Sequence, residues 1–207
     1  MYICSIVKHK FKYIAMTDKL LKFIEPYLSY IDSGKLYRKP FSWFYILWAV
    51  FNAILPFYML YKAIDSGIFK YMQAKHIFAF VLIWLVVLAA CWVGFQIWWN
   101  RKDKVLETSE EGSEFPATPV IAHFFQTFGE WLGTFIAIVG FGASLIATIF
   151  LGNDAGSMGN AMGLHINLGI TGIISFPILG FVIIVGMRFL AELCRALASI
   201  ANNTKKA

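Results

Sequence analysis

Four long apolar runs alternate with short polar stretches along this chain, and their spacing predicts its elements. Residues 17–33 come first and read differently. Leu20, Leu21, Ile24, Tyr27, Leu28 and Ile31 recur at three- and four-residue steps, with Lys19, Lys22 and Glu25 between them. That is the period of an amphipathic helix, which beside a membrane span lies at the surface. Pro26 should kink it or mark its start.

The first apolar run predicts a span over 42–61, preceded by Pro40, anchored by Trp43, Tyr45 and Trp48, and containing Asn52 and Pro56. The second predicts a charge-free span over 77–99 that closes on Trp98, Trp99, Asn100, Arg101 and Lys102. Each exceeds the roughly 18 apolar residues needed to cross a hydrocarbon core about 30 Å thick. Residues 101–116 turn abruptly polar and read as an exposed loop without packing.

The third run, 117–151, is too long for one crossing. A continuous helix of that length would measure about 52 Å. The expectation is therefore a surface lead-in opened by Thr118 and Pro119, a bend near Gly129, and a span over 129–151. A Gly-, Asn- and Asp-bearing turn follows at 152–163. The fourth span is expected over 164–187, with an amphipathic extension over 188–201 and a polar tail. Residues 1–40 form a basic segment of their own, and 41–207 form the transmembrane domain.

Composition agrees. Hydrophobic residues make up 59% and charged residues 14% of the chain, where a soluble domain carries about 25% charge. The fold class expected is thus an all-α integral membrane protein with four transmembrane helices and interfacial amphipathic helices on the cytoplasmic side. The net charge of +6 does not point to nucleic acid, because the basic residues flank apolar runs. There they set orientation and meet anionic lipid head groups.

Of the eighteen Lys and Arg residues, fifteen fall beside the termini and the loop after the second span. Only Lys62, Lys70 and Lys75 fall on the other side. The positive-inside bias then puts both termini in the cytoplasm, and the plan suits a bacterial inner membrane. The first residues show no secretory signal pattern. Met16, Thr17 and Asp18 could open a helix, which would leave residues 1–15 dispensable.

Four groupings are candidates for function. In the third span Gly129, Gly133, Ala137, Gly140, Ser144 and Ala147 share one helical face, and the fourth offers Gly169, Gly172 and Gly180. Small-residue stripes let helices approach closely in lipid, so these two spans should pack together. They could instead meet another copy or another membrane subunit, or line a pore. His123, Gln126, Thr127 and Glu130 also share a face, and His123 with Glu130 is the candidate proton or ion site.

Arg188, Glu192 and Arg195 form a candidate charge network that could instead hold Glu130 or lipid phosphate. Asp154, Asn160, His165 and Asn167 gather near the last turn, where cap chemistry outweighs cation binding. Asn52 and Asn167 are isolated amides expected to bond between helices. The tetrapeptide Ile-Asp-Ser-Gly occurs at 31–34 and 64–67, each time as a helix stop.

Cys4, Cys91 and Cys194 are scattered, without metal or redox spacing. No Walker loop, dinucleotide fingerprint, HExxH or GxSxG is present, and no cofactor or metal is expected. The leading expectation is an accessory or scaffold subunit acting through helix–helix contacts. A small channel or proton-coupled transporter using Glu130 and His123 is the alternative, and a membrane-bound enzyme the third.

Overall fold

The computed structural model of the chain describes residues 24–32, 35–108, 117–152 and 169–204, with backbone alone at 32, 35 and 36. Of the described residues 94% are helical and none lies in a strand, so the chain is all-α. Helix α1 spans Glu25–Asp32 and α2 spans Lys35–Asp65. Helix α3 spans Ala74–Arg101, α4 spans Ala117–Leu151 and α5 spans Ile170–Thr204. The last four are long and apolar enough to cross a membrane.

Prolines fall where a helix tolerates them or where neighbours compensate. Pro26 sits in the first turn of α1, a favoured place for a residue without an N–H. Pro40 does not terminate anything: α2 starts before it and continues through it. Pro56 lies mid-helix in α2, and its own carbonyl accepts a bond from Trp84 Nε1 of α3 at 2.8 Å. One turn earlier, Asn52 Nδ2 donates to Trp48 O at 2.8 Å. The second Ile-Asp-Ser-Gly copy stops α2. Gly67 takes φ +66°, and its N–H bonds Ile64 O at 3.0 Å, as a glycine helix stop requires.

The long third stretch corrects the sequence reading. Ala117–Leu151 is one uninterrupted helix, with no break at Gly129. The part expected to lie on the membrane surface is internal: Val120, Ala122, His123 and Thr127 are buried. The reason is lateral. Its Phe-rich face meets aromatics of α2 and α3, which bury more than a bilayer surface could. Arg188 to Ile200 extends the fourth span without a break, as part of α5. Residues 153–168, with Asp154, Asn160, His165 and Asn167 and the first part of the fourth span, lie outside the described residues. So do the first helix turns expected at 17–23.

The segment after α3 is also less loop-like than its composition implied. Lys104–Glu107 forms a 3-10 turn that buries Val105 completely. Arg38 Nη1 donates to Leu106 O at 3.4 Å and helps hold it. Two apolar residues among charges were enough to fold it back.

The four long helices run up and down, each packed on its predecessor. Helix α4 is central. On one side Gly142 receives Val86 of α3. On the other side α5 packs antiparallel along its whole length, and α5 packs on no other helix to a comparable extent. The register is set by small residues. Gly129 faces Met187, Gly133 faces the carbonyl of Gly180, Gly140 faces Phe176, and Ser144 faces Gly172. Among the described residues, nothing lies within 4 Å of a Cβ at Gly169 or Gly186.

Two core clusters result. One joins Ala79 and Ile83 to Ala143, Ala147 and Leu151. The other joins Tyr45, Ala49, Trp98, Val105 and Val120 under a cover of aromatic rings. Trp98 is fully buried in this core, while Trp43 and Trp99 are exposed.

Candidate functional site

The second cluster lies at one end of the molecule, where the start of α2, the end of α3, the start of α4 and the end of α5 come together. Arg38, Lys39, Arg101, Lys102, Lys104, Arg188 and Arg195 belong to these segments. We call this the basic end. The opposite end holds Lys62, Lys70 and Lys75.

Polar side chains thread the aromatic core here. The periodicity of α4 puts His123, Gln126, Thr127 and Glu130 on one face, and the structure turns that face inward. His123 is 5% exposed, Gln126 9% and Thr127 0%. His123 Nδ1 and Tyr45 Oη share a buried hydrogen bond of 3.0 Å. Their rings stack with centroids 5.8 Å apart, and Tyr45 meets Trp98 edge-on at 5.0 Å. Thr127 Oγ1 donates back to His123 O at 2.9 Å, which satisfies the hydroxyl within its own helix. His123 Nε2 finds no partner among the described residues.

Glu130 goes elsewhere. Arg101 Nη2 donates to its Oε2 at 2.6 Å and Gln126 Nε2 to its Oε1 at 3.0 Å. Arg195 Nη2 in turn donates to Gln126 Oε1 at 2.7 Å. The chain Arg101–Glu130–Gln126–Arg195 therefore ties α3, α4 and α5 through charge-assisted bonds. The Arg101–Glu130 side chains are only 25% and 20% exposed, so water screens them little. The expected network on α5 is divided. Arg188 pairs with Glu192 at 3.4 Å, both about 60% exposed, a surface pair worth tenths of a kcal/mol. Arg195 reaches away to α4.

A third polar contact lies deeper. Trp131 Nε1 donates to Asn52 Oδ1 at 2.8 Å, joining α4 to α2. Gly94 of α3 makes the room. A Cβ there would sit 2.6 Å from Asn52 Oδ1 and 2.8 Å from Trp131 Nε1. Asn52, fully buried, is thus an interhelical amide of the kind membrane helices use.

Tyr45, Arg101 and Gly94 were not singled out in the sequence. Arg101 read as a membrane-flanking charge and Tyr45 as an interfacial anchor. Only their position against α4 gives them their roles. Among the described residues no three His, Cys, Asp or Glu side chains gather where they could hold a metal ion. What the arrangement does chemically is to fix helices to one another. It holds an ion pair and a ring pair, each already engaged.

An all-helical chain with four helices long and apolar enough to span a bilayer has the architecture of a multi-pass membrane protein. Comparison with family models, with curated proteins and with solved structures finds no match to this chain.

Proposed function

We propose that the protein is an accessory or scaffold subunit of a bacterial inner membrane, with its basic end in the cytoplasm and its work done by helix–helix contact. One observation carries this reading: the outer face of α5 stays apolar and exposed beyond Arg188, where its charge-free stretch ends. The charge-free part of α5 ends at Arg188. At 35 residues the helix is about 52 Å long, and a tilt of 40° still leaves about 40 Å along the normal. The hydrocarbon core is about 30 Å. Leu197 lies about 13 Å further along than Arg188, yet it is 66% exposed, and Leu193 and Ile200 are exposed beside it. Apolar side chains stacked in line past the roughly 30 Å hydrocarbon core fit a protein partner. That partner is either another copy or another membrane subunit.

A photo-reactive residue at Leu197 tests this in native membranes. The expected result is one product of defined mass, recovered from Leu197 and Leu193 but not from Ile149, which is equally exposed at the opposite end. Lipid adducts alone at Leu197 would remove the support. Helix α1, with Ile24, Tyr27 and Leu28 exposed, fits a segment lying at the cytoplasmic interface beside anionic head groups.

The orientation has its own check. Tyr71, 90% exposed between α2 and α3, is placed outside by this reading. A cysteine there, in a chain whose three native cysteines are replaced by serine, should react with an impermeant reagent added to intact cells. Reaction only after lysis reverses the topology. A channel or proton-coupled transporter using Glu130 and His123 has less support. Glu130 is bonded to Arg101 and Gln126, and His123 to Tyr45, rather than to each other. For a membrane-bound enzyme, no group of three His, Cys, Asp or Glu side chains that could hold a metal ion is found among the described residues.

A further inference from the structure

Away from its contact with α4, helix α5 carries a line of exposed residues with a regular step. Val182, Gly186, Phe189, Leu193, Ala196 and Ile200 recur at alternating intervals of four and three. Every one is exposed and none is charged. The line reaches back through Leu179 to Ser175 and on to Asn203, all exposed as well. Neighbouring lines with the same interval are interrupted by charge. The one through Ile174, Ile178, Phe181 and Val185 runs into Arg188, and the one through Ile178, Val182, Val185 and Phe189 runs into Glu192.

Lipid imposes no such interval. A steady alternation of four and three averages about 3.5 residues, the period at which two helices keep one seam between them. From Ser175 to Asn203 the line is about 42 Å long, against a hydrocarbon core of about 30 Å. A helix that covers it must be as long as α5 and run beside it past Arg188. The residues on the line fit a copy of themselves. A two-fold contact between identical helices sets each residue against its own counterpart, so a charge there would meet a like charge. Arg188 and Glu192 both lie off the line. Its polar members near the ends, Ser175 and Asn203, are neutral groups that donate and accept, so each can bond its own counterpart. Gly186 and Ala196 keep the axes close on either side of the bulky Phe189 layer. A methyl at 186 would still fit, as it does at 196.

We propose that α5 pairs in parallel with α5 of a second copy along this line, so that the unit in the membrane is a dimer. Copies inserted the same way in one membrane can only set these helices parallel, which brings equal positions level. The proposal rests on the reading of α5 as a contact helix and names its partner.

The test uses the full chain with its three native cysteines replaced by serine and a single cysteine returned at a chosen place. Two copies bearing different tags are expressed together, and their isolated membranes are treated with a mild oxidant. Ala196→Cys should give a disulfide-linked product of twice the chain's mass that carries both tags. Arg188→Cys, exposed on the same helix but off the line, should give only traces. Leu193→Glu sets a carboxylate against its own counterpart and should abolish the Ala196→Cys product. Equal yields from Ala196→Cys and Arg188→Cys describe random collision and overturn the pairing. So does a product that survives Leu193→Glu undiminished, and so does the absence of any doubled product. The scaffold reading is judged separately. A photo-product at Leu197 with a mass other than the doubled one keeps α5 as a contact helix and rules out the second copy as its partner.

Discussion

Gly133→Ala should unfold in detergent at a clearly lower temperature than the parent chain, although alanine is the better helix former. A Cβ at position 133 would be driven into the carbonyl of Gly180, and one at 180 into the carbonyl of Gly133. Neither is a flexible side chain that can swing aside. Relief requires the two helix axes to separate, and separation loosens every contact along the seam. Overpacking of this kind costs about 1–3 kcal/mol, and a backbone-on-backbone contact belongs at the upper end. Gly186→Ala supplies the contrast. It lies on α5, the helix of Gly180, and its Cβ would meet nothing within 4 Å among the described residues, so only the helix preference for alanine remains, about 0.5–1 kcal/mol of stabilisation. Gly172→Ala should fall between, because its Cβ meets the Ser144 hydroxyl, which can rotate. Equal unfolding temperatures for Gly133→Ala and Gly186→Ala would show that α4 and α5 do not approach as described.

Glu130→Ala is the second large effect expected. The substitution strands Arg101 and releases Gln126, which then holds only Arg195. Breaking a fully buried pair costs about 3–5 kcal/mol. Here 25% and 20% of the side chains remain exposed, and about 2 kcal/mol is the fitting scale. Arg101→Met should also lower stability, since it leaves the Glu130 carboxylate with Gln126 alone. The double variant Glu130→Ala, Arg101→Met should be more stable than the sum of the singles predicts, which is how a coupled pair behaves. Strict additivity in chemical or thermal unfolding would dissolve the pair. A proteoliposome flux abolished by Glu130→Gln, with stability retained, would instead promote the transporter reading over the scaffold.

The polar groups on α4 show how far sequence reaches. Steps of three, four and seven place His123, Gln126, Thr127 and Glu130 on one face because the helical period is fixed. No such rule links position 45 to 123, or 101 to 130, so the sequence offered only His123, or an arginine of the 188–195 group, as a partner for Glu130. The structure supplies partners from other helices. The same limit applies to the glycines. Gly133, Gly140 and Gly172 lie in contact with the facing helix, while Gly169, from the same kind of pattern, meets nothing among the described residues. Gly94 and Gly142 serve different neighbours altogether. Spacing tells which residues share a face, and only packing tells what that face meets.

The length of α4 misled for a related reason. A bilayer about 30 Å thick argued for a break, but helices supported by one another need not stop at the lipid boundary. Helix α5 matches α4 residue for residue in length, 35 each, and the pair can extend together.

That pairing bears on the order of assembly. Helices α2, α3 and α4 share the Tyr45–His123 bond, the Asn52–Trp131 bond and the aromatic cluster, none of which involves α5. As the chain is synthesised, this three-helix unit has all its contacts in hand before α5 emerges. Helix α5 then arrives at a glycine-lined track already presented by α4. Its last polar act is to bring Arg195 to Gln126, so this contact serves as a latch that closes only when the whole helix is seated.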